Sequence, residues 1–110
     1  MSESVRVESK IVNAKMELHM TEDSYVPDVL TRIRILPTVA VVGQTSKVRR
    51  TDYGFTILDV YVKFLPIDKN LLSSLKRLMK LIKDIPTVNS VKLDSVDDRP
   101  VTVNGTVLQV

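Results

Sequence analysis

Residues 78–91 have the sequence LMKLIKDIPTVNSV, and residues 29–42 have the sequence VLTRIRILPTVAVV. The two stretches align without a gap, which places Pro37 on Pro86 and Val39 on Val88. In each, apolar residues at helical spacing precede the proline and β-branched residues follow it. Because proline disfavours helical backbone at the preceding residue, each stretch predicts the end of a helix, a turn and a strand. The β-formers of the first copy also permit one strand from Thr31 to Val42, but its match to the second copy favours helix and then strand.

The first half of the chain begins with a predicted strand from Val12 to Met20, where apolar and polar residues alternate. Capping residues follow at positions 21–24, and Pro27 suits the first turn of a helix. We therefore expect a helix that begins after the capping cluster and ends before Pro37. A strand from Val39 to Gly43 or beyond comes next.

The second half begins after a polar, basic hairpin at residues 44–54, with an alternating strand from Phe55 to Leu65. Pro66 and Asp68 end this strand and begin a helix whose apolar stripe runs from Leu71 to Ile85. A strand from Val88 to Leu93 follows. At the end of the chain, residues 101–110 predict a β-hairpin, since Asn-Gly accepts the positive φ angles of a type I′ turn.

The predicted order of elements, β-α-β-β-α-β and then a hairpin, resembles the ferredoxin-like split βαβ fold. The resemblance covers about residues 10–95, and the hairpin occupies about residues 99–110 of a single domain, 1–110. It implies an α+β sandwich with a four-stranded antiparallel sheet and two helices on one face. The sequence IPTVNSV at residues 85–91 is most similar to ACT-type regulatory domains. That similarity implies dimerisation and small ligands such as amino acids, bound by the loop after the first strand, Thr21 to Ser24.

Composition restricts the class of protein. The chain has 110 residues, 44% of them hydrophobic, a formal net charge of +3 and no cysteine. No apolar run approaches the ~20 residues of a membrane helix, and residues 1–10 form a polar arm in which Val5 and Val7 could pair at a sheet edge. We expect no secretory signal, no disulfide and a cytoplasmic location.

Catalytic apparatus is not evident in the sequence. The only histidine, His19, lies beside Glu17 on the polar side of the first strand, where a surface role is the simpler interpretation. Asp94, Asp97 and Asp98 could attract a hard cation, but their spacing matches no metal loop, so a solvated turn is favoured. Phosphate-cradling and nucleophile motifs do not occur. We expect no enzyme, no cofactor and no metal.

The basic hairpin is a candidate nucleic-acid interface. Its basic and aromatic residues are Lys47, Arg49, Arg50, Tyr53 and Phe55. In the RNA-recognition motif, which has a ferredoxin-like fold, the corresponding loop and strand face hold RNA through stacking aromatics and basic side chains. The Tyr53-Gly54-Phe55 sequence faintly resembles the signature of that motif's third strand.

A second candidate is an assembly interface. Phe55, Ile57 and Tyr61 alternate on the side of their strand predicted to face away from the helices, where they would form an apolar patch. The hairpin could fold over this patch, or pair at an edge through the face that carries Val101, Val103 and Leu108. The leading hypothesis is a non-enzymatic assembly module, either a homo-oligomer or a small structural component of a complex. Nucleic-acid binding is the first alternative and ACT-like small-molecule sensing the second.

Overall fold

The computed structural model describes residues 10–67 and 70–110. Its elements in chain order are β1 (Val12–Met20), α1 (Val26–Arg34), β2 (Val39–Gln44), β3 (Arg49–Arg50), β4 (Thr56–Phe64), α2 (Leu71–Lys83), β5 (Val88–Val96), β6 (Thr102–Val103) and β7 (Thr106–Val107). The helix at Val26–Arg34 confirms helix followed by strand in the first copy of the repeat. The predicted N-terminal arm, with its pairing of Val5 and Val7, falls mostly outside the described residues, and so does the helix start at Asp68.

The main sheet is antiparallel and has the strand order β2-β4-β1-β5. The predicted α+β class, with two helices and an antiparallel sheet, is confirmed. The count of four strands needs correction, because β3 pairs with β4 and makes the sheet five-stranded. A tight turn creates this extra pairing: Thr51 N donates to Phe55 O at 2.9 Å, and Gly54 has φ 86°. Arg49 is thereby placed opposite Ile57.

Both helices pack on one face of the sheet around a single core. Every second residue of β1, from Val12 to Met20, is buried in that core. Val29 and Ile33 of α1 join it, and α2 adds Leu75, Leu78, Met79 and Ile82. Alternation in the strands and helical spacing in the helices therefore place their apolar faces on each other.

The two helices begin differently. The predicted capping cluster does not cap α1, whose N-cap is Tyr25 with no side-chain capping bond. Instead Thr21 Oγ1 donates to Asp23 Oδ1 at 2.8 Å, so the cluster forms a turn of its own. In α2, Asn70 Oδ1 accepts a hydrogen bond from Leu72 N at 2.7 Å, which is a standard N-cap.

The C-terminal hairpin has the predicted turn, with Asn104 at φ 53° and Gly105 at φ 78°. Its two short strands pair with each other in a separate two-stranded sheet. The strand before the hairpin, β5, is longer than predicted and reaches Val96. Two register shifts against β1 allow this strand to bend along its length.

Candidate functional site

Strand β2 forms one edge of the main sheet. Within residues 10–67 and 70–110, β4 is its only strand partner, so its outer side is open. The six residues of β2, VAVVGQ, carry no charge, and Val41 is 44% exposed. Proteins usually protect such edges with charges, proline or bulges. Here the register shift against β4 lies between Val39 and Val41, and the pairing from Val41 to Gln44 is regular.

The opposite edge, β5, is covered by the chain's own C-terminal tail. Val91 and Val110 exchange two backbone hydrogen bonds of 2.9 Å, and Leu93 N donates to Leu108 O at 2.9 Å. Leu108 is buried in the core, and the predicted interface residues Val101 and Val103 pack partly buried against that core. The hairpin thus lies beside β5 and does not fold over the outer face of β4.

The predicted apolar patch on β4 is largely covered within the chain. Ile57 is buried, Tyr61 is half-buried and Phe55 is 46% exposed. The ring of Tyr61 lies across Gly43 of β2, where an added Cβ would meet ring atoms at 2.5 Å. The patch and the hairpin residues are separated by β1 and β5, so the structure does not bring the two predicted parts of the interface together.

Arg49, predicted as a phosphate contact, is bound to carboxylates on the outer face of the sheet. Its guanidinium lies 2.9 Å from Glu17 Oε2 and contacts both carboxylate oxygens of Asp59, at 2.9 and 3.1 Å. Glu17 and Asp59 are directly opposite each other in the β1–β4 register. The arginine therefore serves as the counter-ion of two facing carboxylates.

The pKa shifts in this cluster follow from its contacts. Partial burial raises the pKa of Glu17, but hydrogen bonds from His19 and Arg49 outweigh it, and the pKa lies below its ordinary value. Hydrogen bonds to Asp59 and then Glu17 raise the pKa of Arg49 further. Burial, followed by repulsion from Glu17 and Asp59, raises the pKa of Asp94. Arg49 thus favours the ionised form of Glu17, whereas the two neighbouring carboxylates disfavour ionisation of Asp94, which is exposed.

Sequence reasoning missed this cluster. It grouped Asp94 with Asp97 and Asp98, whereas carboxylate oxygens of Asp94, Glu17 and Asp59 lie within 4.8 Å of one another. Three carboxylates are the ligand type of a hard cation, but Arg49 already binds two of them. His19 is half-buried beside Glu17, where its Nε2 lies 2.7 Å from Glu17 Oε1. The sequence offered one signal for this cluster: the alternation in β1 and β4 predicts that Glu17 and Asp59 lie on outer faces. It does not predict that the two residues lie opposite each other.

The two other aspartates of the predicted turn hold β1 instead. Asp97 Oδ1 accepts from Asn13 N at 3.0 Å, and Asp98 Oδ1 pairs with Lys15 Nζ at 3.0 Å. Both aspartates are exposed and have positive φ angles, as residues in tight turns often do. The structure therefore does not assemble the three aspartates into one site.

The remaining candidates for nucleic-acid binding lie in the segment that joins β2 to β4. Lys47 is exposed, and Tyr53 is 88% exposed. Arg50 is also exposed, with its Nη1 3.8 Å from Glu22 Oε1. Two basic side chains and two aromatic ones, those of Tyr53 and Phe55, are thus accessible there. The neighbouring sheet face carries the three carboxylates of the cluster, which repel phosphate.

An apolar cavity of about 260 Å³ opens beside the start of β2. Its walls come from the turn before β2, the end of β4 and one side of α2. The lining residues are Pro37, Thr38, Phe64, Leu65, Ile67, Ser74, Arg77, Leu78 and Leu81. Ile67 is 61% exposed, and Pro37 and Thr38 connect the cavity directly to the start of β2.

Comparison with protein-family models, with curated proteins and with solved structures found no match. In the described part of the chain, neither helix combines the length and the apolar character needed to cross a membrane.

Proposed function

We propose that this chain is a non-enzymatic interaction module that assembles with protein partners by accepting a strand along β2. The open, uncharged edge of β2 is the observation that carries this proposal. Strand addition gives affinity through backbone hydrogen bonds and specificity through alternate side-chain pockets. Val41, exposed on the outer face at this edge, is the first side chain that an added strand would contact.

The apolar surroundings of the edge support the same interpretation. Pro37 and Thr38 precede β2 directly and also line the cavity, together with the exposed Ile67. A partner that pairs with β2 can therefore bury apolar surface beyond the strand itself. Burial of such surface contributes roughly 25 cal/mol per Å², although binding must also offset the loss of translational and rotational freedom.

We further propose that the fold is a ferredoxin-like βαββαβ sandwich with one added strand. The order β2-β4-β1-β5 places each strand that follows a helix at an edge of the main sheet, and all neighbours are antiparallel. Without β3, this is the order of a split βαβ repeated twice. The resemblance to ACT-type domains in particular has less support, because the side chains of the expected ligand loop bond to one another: Thr21 Oγ1 contacts both Asp23 and Ser24.

Nucleic-acid binding remains the alternative prediction. The exposed Tyr53, Phe55, Lys47 and Arg50 favour it. Against it, Arg49 is bound by two carboxylates. The outer face of β1 and β4 carries Glu17 and Asp59 at the place where an RNA-recognition surface has aromatic side chains that stack on bases. The strand-edge function therefore has the stronger geometric support.

A labelled peptide tests the proposed function. We would titrate a fluorescent peptide of residues 37–46, PTVAVVGQTS, with the whole protein at low concentration and follow fluorescence anisotropy. We expect saturable binding that Val41→Lys weakens at least about tenfold, equivalent to about 1.4 kcal/mol. Val107→Lys is the matched control, because Val107 is a strand valine of similar exposure, 41%, on the C-terminal hairpin. A scrambled peptide that binds equally well would overturn the proposal, and so would no binding of the native peptide by a chain that also forms no contact between copies through β2.

A further inference from the structure

We infer that the partner at β2 is a second copy of this chain, paired antiparallel about a two-fold axis. This inference rests on the proposed function and identifies the partner that pairs with the β2 edge. It predicts a closed dimer in which the two sheets join through their β2 strands.

The first argument is the different state of the two sheet edges. A chain with two open edges can pair β2 of one copy with β5 of the next, which is a head-to-tail contact. Here the edge of β5 is occupied by the tail, through the bonds of Val91 with Val110 and of Leu93 with Leu108. The tail is a short edge of three residues, 108–110, so β2 is the longer open edge among the described residues and the one that self-pairing would use on both sides. Such a contact is isologous, and it closes at two subunits.

The second argument is the charge along the edge. The pairing segment Val39–Gln44 has no charged residue, so the same segment can face itself without like-charge repulsion. Beyond it, on the same side of β4, lie Arg49 and Arg50 of β3. Antiparallel pairing places these arginines of the two copies at opposite ends of the interface. Parallel pairing would place them side by side, where like charges are destabilising.

The third argument concerns what an edge of this kind requires. An exposed, uncharged strand edge is a ready template for pairing with another chain. A second copy supplies a strand of matched length and apolar character, and it also brings its own exposed Val41 to the outer face. The resulting sheet is continuous across the two-fold axis.

Two measurements on the whole protein test the dimer. The first is its mass in solution, by light scattering and sedimentation over a wide range of concentration. We expect a dimer for the native chain and for Val107→Lys, and a monomer for Val41→Lys with unchanged circular dichroism. The second uses cysteine cross-linking, which is clean because the chain contains no cysteine. Val41→Cys should link to a second copy through a short bismaleimide reagent, and Val107→Cys should not.

The possible outcomes separate the inference from the proposed function. A native chain that stays monomeric at high concentration overturns the dimer, but the proposed function stands if the peptide still binds at β2. A dimer that survives Val41→Lys and does not cross-link through Val41→Cys uses another surface, which also overturns the inference. A monomer that dimerises only after deletion of residues 2–9 assigns the edge to the chain's own N-terminal segment and has the same effect. Failure of both the peptide and the dimer removes the proposed function as well.

Discussion

Thr38 and Thr87 occupy equivalent positions in the two copies of the repeat, and both have left-handed backbone, with φ 71° and 79°. Each follows a proline and precedes a strand. The carbonyl of Thr38 accepts from Leu65 N at 2.9 Å, just after β4 ends, and that of Thr87 accepts from Thr21 N at 2.9 Å, just after β1 ends. The duplication therefore extends from sequence to individual backbone hydrogen bonds.

The two threonines are predicted to be strained. Proline at the second position and positive φ at the third are the pattern of a type II turn, whose third position favours glycine. A β-branched residue there costs on the order of 1–3 kcal/mol, which exceeds the entropic cost of glycine in the unfolded chain, about 0.5–1 kcal/mol. We expect Thr87→Gly and Thr38→Gly each to raise the free energy of unfolding by about 1 kcal/mol, measured by urea titration.

The control for these variants is Thr45→Gly, because Thr45 has ordinary backbone and follows β2. We expect this control to leave stability unchanged or to lower it. Loss of stability in both turn variants would show that the threonine side chains contribute more than the backbone strain costs.

Arg49 is predicted to stabilise the outer face of the sheet. Arg49→Gln leaves Glu17 opposite Asp59 without the positive charge between them. Because Arg49 is half exposed, we expect a loss of only about 1 kcal/mol at neutral pH. Adding Asp59→Asn should recover part of it, which a double-mutant cycle in urea would measure.

The pH dependence of Arg49→Gln follows from the lowered pKa of Glu17. A carboxyl whose folded-state pKa is depressed stabilises the fold above its unfolded pKa, and this contribution is lost as pH falls through the folded pKa. The native chain and the variant should therefore converge in stability in acid. A constant difference at all pH values would contradict the assignment.

Asp94 is predicted to destabilise the fold only slightly when ionised. Partial desolvation and then repulsion from Glu17 and Asp59 raise its pKa, but the residue is exposed, so solvent screens most of this effect. The folded state then binds the proton more tightly than the unfolded state. The ionised carboxylate therefore lowers the free energy of unfolding fully above the folded-state pKa, and this loss disappears below the unfolded-state pKa. Asp94→Asn should raise the melting temperature slightly at neutral pH and leave it unchanged in acid. Asp98→Asn, which removes the exposed pair with Lys15, provides the comparison and should give no gain.

Position 43 is predicted to require glycine, because the ring of Tyr61 occupies the space that a Cβ at this position would fill. Gly43→Ala should displace the ring and lower stability, visible as a changed tyrosine environment in near-ultraviolet circular dichroism. In the background of Tyr61→Ala the same substitution should cost much less. Equal costs in the two backgrounds would mean that the ring does not limit this position.

The nucleic-acid alternative has its own test. A fluorescent single-stranded RNA should bind at low salt and weaken steeply as salt rises if Lys47 and Arg50 contact phosphate. Lys47→Glu should then weaken binding further, whereas Val41→Lys should not. The strand-edge proposal predicts no such binding, so a steep salt dependence would favour the alternative.

The sequence predicted the pattern of elements because that pattern is local. Alternation marked β1 with its observed limits, and the paired prolines marked the two turns. The fifth strand was missed because Arg49 and Arg50 have no strand pattern of their own and depend on a tight turn at Gly54. Similarly, Thr21 to Ser24 suggested a helix cap, but those side chains satisfy one another instead of the backbone of α1.

The contacts at the candidate site were harder to predict because they depend on register. Basic residues in a hairpin suggested phosphate contacts, yet the pairing of Glu17 with Asp59 placed two carboxylates within reach of Arg49. The contact of Tyr61 with Gly43 also depends on register, because it forms only when β4 pairs with β2. Which edge of the sheet stays open also depends on where the tail lies, and no local pattern records that position.

If the chain assembles through β2 as proposed, the tail on β5 also limits how far that assembly proceeds. If residues 108–110 were removed, the backbone groups of Val91 and Leu93 would lose their hydrogen-bond partners. Each molecule would then have two open sheet edges at which another copy could pair. Copies could then add end to end without limit and grow into filaments. Three residues at the margin of the sheet would thus decide between a discrete pair and a polymer.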